Sequence, residues 1–344
     1  MMRLPWFDYR APRSVAEAAR ILEGEGPHAM LLAGGTDLLP NMKRRQQTPA
    51  TLVALRGVPE MRTIANGSGL TIGAGITLTE VVAAKAVQKG YAGLTQAAAQ
   101  VATPHLRNMA TLGGNLCLDT RCSYYDQSHE WRKAIDFCLK KDGETCWVAT
   151  ASKRCVAVSS TDTAPALIAL RARVNLVSAA GVREVALEDL YKNDGIEYLT
   201  RRADEILTEV RLPDSTGWKS TYWKLRRRGS FDFPVLGVAA AAKFAKDGRV
   251  EEVRIALGAV ASRPFLVPKA GEILIGKKLS DELVAEAAAA AGSRAKPMDN
   301  ADMDIYWRKE VTPDFVEYAL RELRGDDMSA MRRRIARHEL RQFI

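Results

Sequence analysis

The cysteines are the residues of this sequence best suited to chemistry, because all five lie in one short region of the 344-residue chain. Cys122, Cys138, Cys146 and Cys155 fall within 34 residues, and Cys117 lies just before them. Thiolates bind zinc and iron–sulfur clusters, so this region is a candidate metal site. The gaps of 15, 7 and 8 residues contain no close C-x2-C pair of the kind common in structural zinc sites. Spacing alone leaves zinc, an iron–sulfur cluster and no metal open.

Two glycine loops form a second set of candidate binding residues. The segment 31–38 reads LLAGGTDL and follows a predicted strand, and 111–115 reads TLGGN directly before the cysteines. Glycine lets the main chain approach a ligand closely, and successive N–H groups can hold a phosphate. Neither loop has the G-x-G-x-x-G or P-loop pattern, and each alone is compatible with a simple tight turn. Together they predict a diphosphate held from two sides.

Charge and hydropathy narrow the classes of function. The formal net charge is +9, much of it from residues 226–228 and from the tail around 331–337. No helix-turn-helix, zinc-finger or RNA-binding signature accompanies this charge, so an acidic ligand or partner is favoured over nucleic acid. No run approaches the roughly 18 apolar residues of a membrane span, and none is expected.

The compartment bears on how the cysteines are interpreted. The N-terminus lacks the long apolar segment of a signal peptide, which predicts a cytoplasmic location. In a reducing compartment a cysteine group more often binds metal than forms disulfides, and five thiols leave one over under any pairing. A metal site is therefore the favoured interpretation.

The elements that must position these residues follow from capping and periodicity. Capping-box patterns at 14–17 and 77–80 predict helices through about residue 22 and toward residue 88. Short apolar runs predict strands at 29–33, 51–55, 70–74, 174–177, 205–213, 237–244 and 253–260. Further helices are predicted at 94–101, 163–170, 280–291 and 312–323. Residues 328–340 are predicted to form a basic amphipathic helix that docks on a partner subunit or is solvated. Strands before helices beyond the turn at 213–217 predict an α+β region.

In this order the motifs resemble those of the FAD-binding subunit in the xanthine dehydrogenase and carbon monoxide dehydrogenase family. Segments 160–167, 205–207 and 224–228, the last followed by Phe231 and Asp232, resemble further family segments, from about Phe7 to about Leu323. The resemblance implies an α+β fold, with a two-subdomain, PCMH-type (vanillyl-alcohol-oxidase-like) FAD-binding domain before a CO dehydrogenase flavoprotein C-terminal domain. The implied division is 1–58 and 59–217 for the subdomains, with a 116–159 iron–sulfur insertion, then 218–324 and a basic tail, 325–344.

The resemblance also implies a set of FAD-binding residues and no catalytic residue. They are Leu31, Leu32, Ala33, Gly34, Gly35, Thr36, Asp37, Leu38, Val101, Thr111, Gly114, Asn115, Asp162, Leu207 and Lys224. The glycine loops would hold the pyrophosphate and Val101 would line the flavin. Asp162 would bond the ribityl or adenosine portion, Leu207 would lie by the ring, and Lys224 would lie near the flavin's polar edge. Asp162 as a helix cap and Lys224 as a surface lysine are the alternatives. No histidine lies in either loop, so non-covalent FAD is expected.

The cysteine region resembles an insertion found in one branch of the family. More than 40 residues separate Asn115 from Asp162, where ordinary members have a short connection. The beta subunit of 4-hydroxybenzoyl-CoA reductase has such an insertion and binds a 4Fe-4S cluster in it. The matching ligands are Cys122, Cys138, Cys146 and Cys155. Cys117 is then a spare thiol or a replacement for one ligand, and His129 is a remote further candidate.

The resemblance implies an electron-transfer subunit carrying FAD and 4Fe-4S. Its partners would be a large molybdopterin-binding subunit and a small 2Fe-2S subunit, in a dimer of heterotrimers. The leading hypothesis is a 4-hydroxybenzoyl-CoA reductase of aromatic degradation, in which ferredoxin supplies electrons through 4Fe-4S and FAD to 2Fe-2S and molybdenum. The alternatives are an oxidising xanthine, aldehyde or CO dehydrogenase-type hydroxylase, and a zinc-stapled binding protein without enzymatic activity.

Overall fold

The computed structural model describes residues 3–337, which build two large hydrophobic cores. The strands are β1 (Asp8–Arg10), β2 (Ala29–Leu32), β3 (Thr51–Ala54), β4 (Ile64–Asn66), β5 (Gly69–Gly73), β6 (Arg173–Ser178), β7 (Gly181–Ala186), β8 (Ile206–Pro213), β9 (Trp218–Leu225), β10 (Leu236–Phe244), β11 (Val250–Gly258) and β12 (Phe265–Leu266). The helices are α1 (Val15–Glu25), α2 (Leu38–Lys43), α3 (Leu78–Ala83), α4 (Lys85–Gly90), α5 (Ala92–Ala99), α6 (Pro104–Arg107), α7 (Leu112–Leu116), α8 (His129–Ala134), α9 (Thr163–Ala169), α10 (Pro268–Glu272), α11 (Asp281–Gly292), α12 (Ile305–Arg324) and α13 (Ser329–Ala336).

The first sheet is parallel and has three strands in the order β1-β3-β2. Helix α1 begins where predicted, because the Ser14 hydroxyl accepts from the Glu17 N–H. The second bond of the expected capping box, from the Ser14 N–H to the Glu17 carboxylate, is wrong. That carboxylate accepts from the Arg13 N–H at 2.8 Å instead. The helix ends at Gly26, whose φ of 58° is a conformation that glycine adopts without strain.

The second sheet is antiparallel, with five strands in the order β4-β5-β8-β6-β7. Its inward residues Ile72, Val174 and Val210 are fully buried in the core that also holds the apolar face of α1. Thr77 begins α3 with the complete capping box that the sequence predicts. The chain between β5 and β6 carries α3 to α9 and the cysteine region, so this sheet frames both candidate sites.

The third sheet is antiparallel, with four strands in the order β12-β11-β10-β9. Alternate residues of β10 face opposite sides: Ala239 and Ala241 join the first core, whereas Val238 and Ala240 join the second with α11 and α12. Gly258 of β11 lies so close to the ring of Pro165 in α9 that an added Cβ would stand 2.6 Å from the ring's Cγ. The third sheet therefore packs tightly against the chain that precedes it.

Helix α12 differs from its prediction at its N-terminus. It begins at Ile305, capped by the Asp304 carboxylate on the N–H groups of Tyr306 and Trp307, and not at Thr312. Pro313 lies inside the helix, and the Thr312 hydroxyl donates to the Arg308 carbonyl at 2.8 Å. A Thr-Pro pair resembles a helix start in sequence, because proline is favoured in a first turn.

The described part of the basic tail packs on its own chain. In α13 the Arg332 guanidinium pairs with Glu322 of α12 and lies over the Trp223 ring, 4.1 Å from its centroid. Docking of the tail on a partner subunit, or its solvation, stays a prediction, and residues 338–340 of the predicted helix lie outside the described residues. The helix predicted from residue 77 toward residue 88 is divided at Ala84, whose extended backbone separates α3 from α4. The other predicted strands and helices are present with ends shifted by a few residues. Between residues 3 and 337 no helix combines the length and apolarity needed to cross a membrane.

Candidate functional site

A cavity of about 1090 Å³ connects the two glycine loops with the start of the cysteine region. This volume is at the upper end for small-molecule sites and suits an extended ligand such as a dinucleotide. Its wall includes thirteen of the fifteen residues expected to bind FAD: Leu31, Ala33, Gly34, Gly35, Thr36, Asp37, Leu38, Val101, Thr111, Gly114, Asn115, Asp162 and Leu207. Leu32 points into a small core with Met42, and Lys224 lies behind the wall.

The first glycine loop joins β2 to α2 with its main chain exposed to the cavity. A Cβ on Gly34 would stand 2.0 Å from the Met109 carbonyl oxygen, and Gly35 has φ +72°, so both positions require glycine. Among residues 3–337 no protein acceptor meets the N–H groups of Gly34, Gly35 or Thr36. Adjacent free N–H groups at a cavity wall form a binding site for a phosphate.

The second loop lacks the free amides of the first. The N–H groups of Leu112 and Gly113 donate to main-chain carbonyls at 2.9 Å, and the Gly114 N–H donates to Thr111 Oγ1 at 3.0 Å. Because its own fold uses these donors, the loop contributes close main-chain approach and the Thr111 and Asn115 side chains. The expectation that both loops offer the same amide cradle is wrong.

Asn115 organises the next segment of the wall. Its Oδ1 accepts from the hydroxyls of Thr161 and Thr163, at 2.9 and 2.6 Å, and from the Thr163 N–H at 3.2 Å. This network places Ser160 on the cavity wall, 2% exposed, with a buried Oγ that has no partner. A buried hydroxyl without a partner costs free energy, so its position on the wall indicates a ligand atom. Sequence reasoning missed Ser160.

Asp162 and Lys224 form a buried ion pair with a 2.9 Å separation between Oδ2 and Nζ. Asp162 Oδ1 also accepts from the Tyr222 hydroxyl at 2.8 Å, and Lys224 Nζ donates to the Gln100 carbonyl at 3.0 Å. Burial raises the pKa of Asp162 and lowers the pKa of Lys224. Asp162 occupies the N-cap position of α9, as one alternative interpretation expects, but its side chain makes no capping bond. Lys224 is fully buried, so its interpretation as a surface lysine is wrong.

Arg121 connects the cavity to the cysteine region and was also missed from sequence. Its buried guanidinium pairs with Asp37 of the first glycine loop and, at 3.1 Å, with Asp126. It also lies 4.7 Å from the Phe233 ring centroid. The only signal in the sequence was its place directly before Cys122.

The cysteine region folds as a small module with its own core. Cys122, Cys138, Cys146 and Cys155 are all free and buried, with exposures of 7%, 6%, 5% and 4%. Burial raises the pKa of Cys122 to about 12 and that of Cys155 to about 11, and the charge of neighbouring cysteines adds to both shifts. The four thiols therefore lie within electrostatic reach of one another. In the described chain no three His, Cys, Asp or Glu side chains are close enough to hold a single metal ion.

The two remaining candidates in this region lie apart from the four thiols. Cys117 lines the cavity and packs against the main core. The half-exposed ring of His129 lies edge-on to Phe137, 5.8 Å between centroids. Neither residue belongs to the apolar cluster formed by Cys122, Cys138 and Cys155.

Comparison with known proteins agrees with this geometry. The family described as the FAD binding domain in molybdopterin dehydrogenase matches residues 5–215, and the CO dehydrogenase flavoprotein C-terminal domain matches residues 220–323. The aldehyde oxidoreductase FAD-binding subunit PaoB of Escherichia coli K12 is 34% identical over 274 residues, 77% of this chain and 84% of that protein. The carbon monoxide dehydrogenase medium chain of Hydrogenophaga pseudoflava is 30% identical over 322 residues, 92% and 96% of the two chains. A solved structure of carbon monoxide dehydrogenase from that organism has a TM-score of 0.76 at 28% identity, covering 93% of this chain and 98% of the other.

The fold is of α+β class, as the sequence predicts, and it is that of an FAD-binding subunit. The chain belongs to the family of FAD-binding medium subunits of the xanthine and carbon monoxide dehydrogenases, and so to the molybdenum hydroxylases. The cavity fits FAD: its volume is large enough, its first loop presents free amides, and Ser160 has an unpaired hydroxyl.

Replacing Lys224 by methionine tests the buried pair. We expect Lys224→Met to lower the free energy of unfolding by about 3–5 kcal/mol, because Asp162 is left buried without its partner. The Asp162→Asn/Lys224→Met double variant should lose less than the sum of the single variants in urea unfolding. Lys219→Met, at an exposed lysine of the same strand, should cost less than about 1 kcal/mol. Additive losses would contradict the assignment.

Replacing Ser160 by alanine tests the cavity as the flavin site. We expect Ser160→Ala to weaken FAD binding about tenfold, because one hydrogen bond to the ligand is lost. Flavin fluorescence titration of the FAD-stripped protein measures the dissociation constant. Ser159→Ala is the matched control, since Ser159 is buried next to Ser160 but does not line the cavity. Equal dissociation constants for both variants would exclude Ser160 as a ligand.

Proposed function

We propose that this chain carries a 4Fe-4S cluster beside its FAD and passes electrons between them. The observation that carries the proposal is the set of four buried free cysteines in a module joined to the cavity wall. Four thiolates supply the complete ligand set of a 4Fe-4S cluster. FAD exchanges one or two electrons and the cluster exchanges one, so the pair supplies a relay.

The zinc alternative is less well supported by the arrangement of the thiols. With zinc–sulfur bonds of about 2.3 Å, tetrahedral ligands lie about 4 Å apart. No such group of three occurs in residues 3–337, although the four thiols share one module and influence each other's pKa. The absence of such a group in the described residues counts against a single zinc ion at these thiols.

The chain's own residues have separate tasks in this relay. The free amides of the first glycine loop would hold the FAD pyrophosphate, with Thr111 and Asn115 on the opposite wall. Leu207 would line the flavin, and Asp162, fixed by Lys224, would accept from its polar groups. We infer non-covalent attachment, because neither glycine loop contains a histidine.

The partners follow from the same family. Similar proteins are named medium chains, medium subunits or FAD-binding subunits, which supports assembly with other chains. We propose a large molybdopterin-binding subunit, where substrate reacts, and a small 2Fe-2S subunit that connects it to FAD. A dimer of such heterotrimers is the expected assembly.

Two reactions of the complex remain candidates. The cysteine insertion favours 4-hydroxybenzoyl-CoA reductase, with ferredoxin as donor and a phenolic hydroxyl removed from the thioester. The names of similar proteins favour oxidation, since they include an aldehyde oxidoreductase, a nicotine 6-hydroxylase and carbon monoxide dehydrogenases. On that ground we place oxidation of an aldehyde or a related small molecule first.

Metal and flavin analysis tests the relay. Purified without oxygen, the chain should contain about four irons and four sulfides per FAD. Cys138→Ser should lose most of the iron and the cluster's absorbance, whereas Cys117→Ser should keep both because Cys117 lines the cavity and packs against the main core. One zinc without iron, or a full cluster in Cys138→Ser, would contradict the proposal.

Substrate reduction separates the two reactions. We expect an aldehyde to bleach the flavin absorbance of the oxidised complex under anaerobic conditions. The dithionite-reduced complex should not be reoxidised by 4-hydroxybenzoyl-CoA. The opposite pair of results would assign the complex as a reductase and leave the relay itself intact.

A further inference from the structure

Lys140 is a buried ammonium inside the cysteine module. Its side chain is 6% exposed, and Nζ donates to Asp119 Oδ1 and Thr120 Oγ1, both at 2.8 Å, and to the Gly195 carbonyl at 2.6 Å. These three bonds use all three of its protons. The ammonium also lies 4.8 Å from the Tyr125 ring centroid. Such a charge has one fixed position.

That position lies between the cavity and the thiols. On the cavity side, Asp119 lines the wall. On the other side, the N–H of Gly195 donates to the Cys155 carbonyl at 2.9 Å. A Cβ on Gly195 would stand 2.6 Å from Cys155 Sγ. Tyr125 belongs to the same layer, because it packs with Cys122 and donates its hydroxyl to Asp119 at 3.2 Å. Lys140, Asp119, Gly195 and Tyr125 thus form a partition between the cavity and the thiols.

A fixed charge in this partition acts on electron transfer. Adding one electron to a thiolate-bound cluster makes the site more negative by one unit. A buried cation nearby favours that more negative state, because little solvent screens the interaction. Asp119 acts with the opposite sign, since it is the anion of the same buried pair.

We propose that Lys140 is a positioning residue that raises the reduction potential of the cluster held by Cys122, Cys138, Cys146 and Cys155, and that Asp119 opposes it. The inference rests on the proposed function, because it needs the cluster. One electron enters from the reductant, the cluster is reduced by one unit, and the four thiolate bonds are kept. No proton transfer is required. The pair then sets how readily the cluster exchanges electrons with FAD.

Anaerobic redox titration of the full chain with dithionite, followed by electron paramagnetic resonance, tests the proposal. In Lys140→Met the ratio of reduced to oxidised cluster at a given potential should fall at least tenfold, a downward midpoint shift of about 59 mV. In Asp119→Asn the midpoint should move upward. Opposite signs separate an electrostatic effect from structural damage, which does not depend on the sign of the charge removed.

Lys141→Met is the matched control. Lys141 is the next residue, and its ammonium pairs with Asp142 at 3.1 Å rather than with the partition. At a given potential, the ratio of reduced to oxidised cluster in this variant should stay within threefold of the wild-type ratio. Unmoved midpoints in Lys140→Met and Asp119→Asn, or shifts of the same sign, overturn the inference while the relay stands. A wild-type chain without iron overturns both. If Lys140→Met does not fold, the sign of the Asp119→Asn shift decides.

Discussion

The buried pair of Asp162 and Lys224 ties the C-terminal sheet to the wall of the flavin cavity. Lys224 and Tyr222 are two residues apart on β9, so both face the start of α9 and reach the same carboxylate. The lysine also donates to the carbonyl before Val101, another wall residue. Removing two charges from water is costly, and the cost is offset only when both partners stay in place. The C-terminal sheet is therefore part of the site and not an appendage.

Hydrogen-bond satisfaction explains how two similar loops acquire different tasks. Three adjacent N–H groups of the first loop, at residues 34–36, meet no protein acceptor in the described chain. In the second loop the amides of residues 112 and 113 donate to carbonyls of residues 76 and 74, and the Gly114 amide donates to Thr111 in the first turn of α7. Asn115, at the end of that turn, then fixes Thr161 and Thr163. One side of the cavity thus offers donors to an anion, and the other sets the position of the ligand's remaining polar contacts.

Local patterns in the sequence predict most of the fold. The caps at Ser14 and Thr77 and the apolar strands depend on neighbouring residues, and the order of the motifs identifies the family. Partners distant in sequence were not predictable: Arg121 meets Asp37 and Lys140 meets Gly195 only after the chain has folded. The same limit explains why Lys224 was expected at the flavin edge, although it lies behind Asp162. Nothing in the sequence of 31–38 and 111–115 distinguishes N–H groups that lack a protein acceptor from those that have one.

The cysteine module has a closed neck at the cavity wall. Arg121 and Val158 exchange main-chain hydrogen bonds of 2.8 and 2.7 Å, so the chain leaves and re-enters at one point. Arg121 lines the cavity and pairs with Asp37, and the next residue, Cys122, already belongs to the thiol core. A module closed at its base can be added without shifting the strands around it. Because the base is also cavity wall, the proposed redox group of the module would lie beside this cavity.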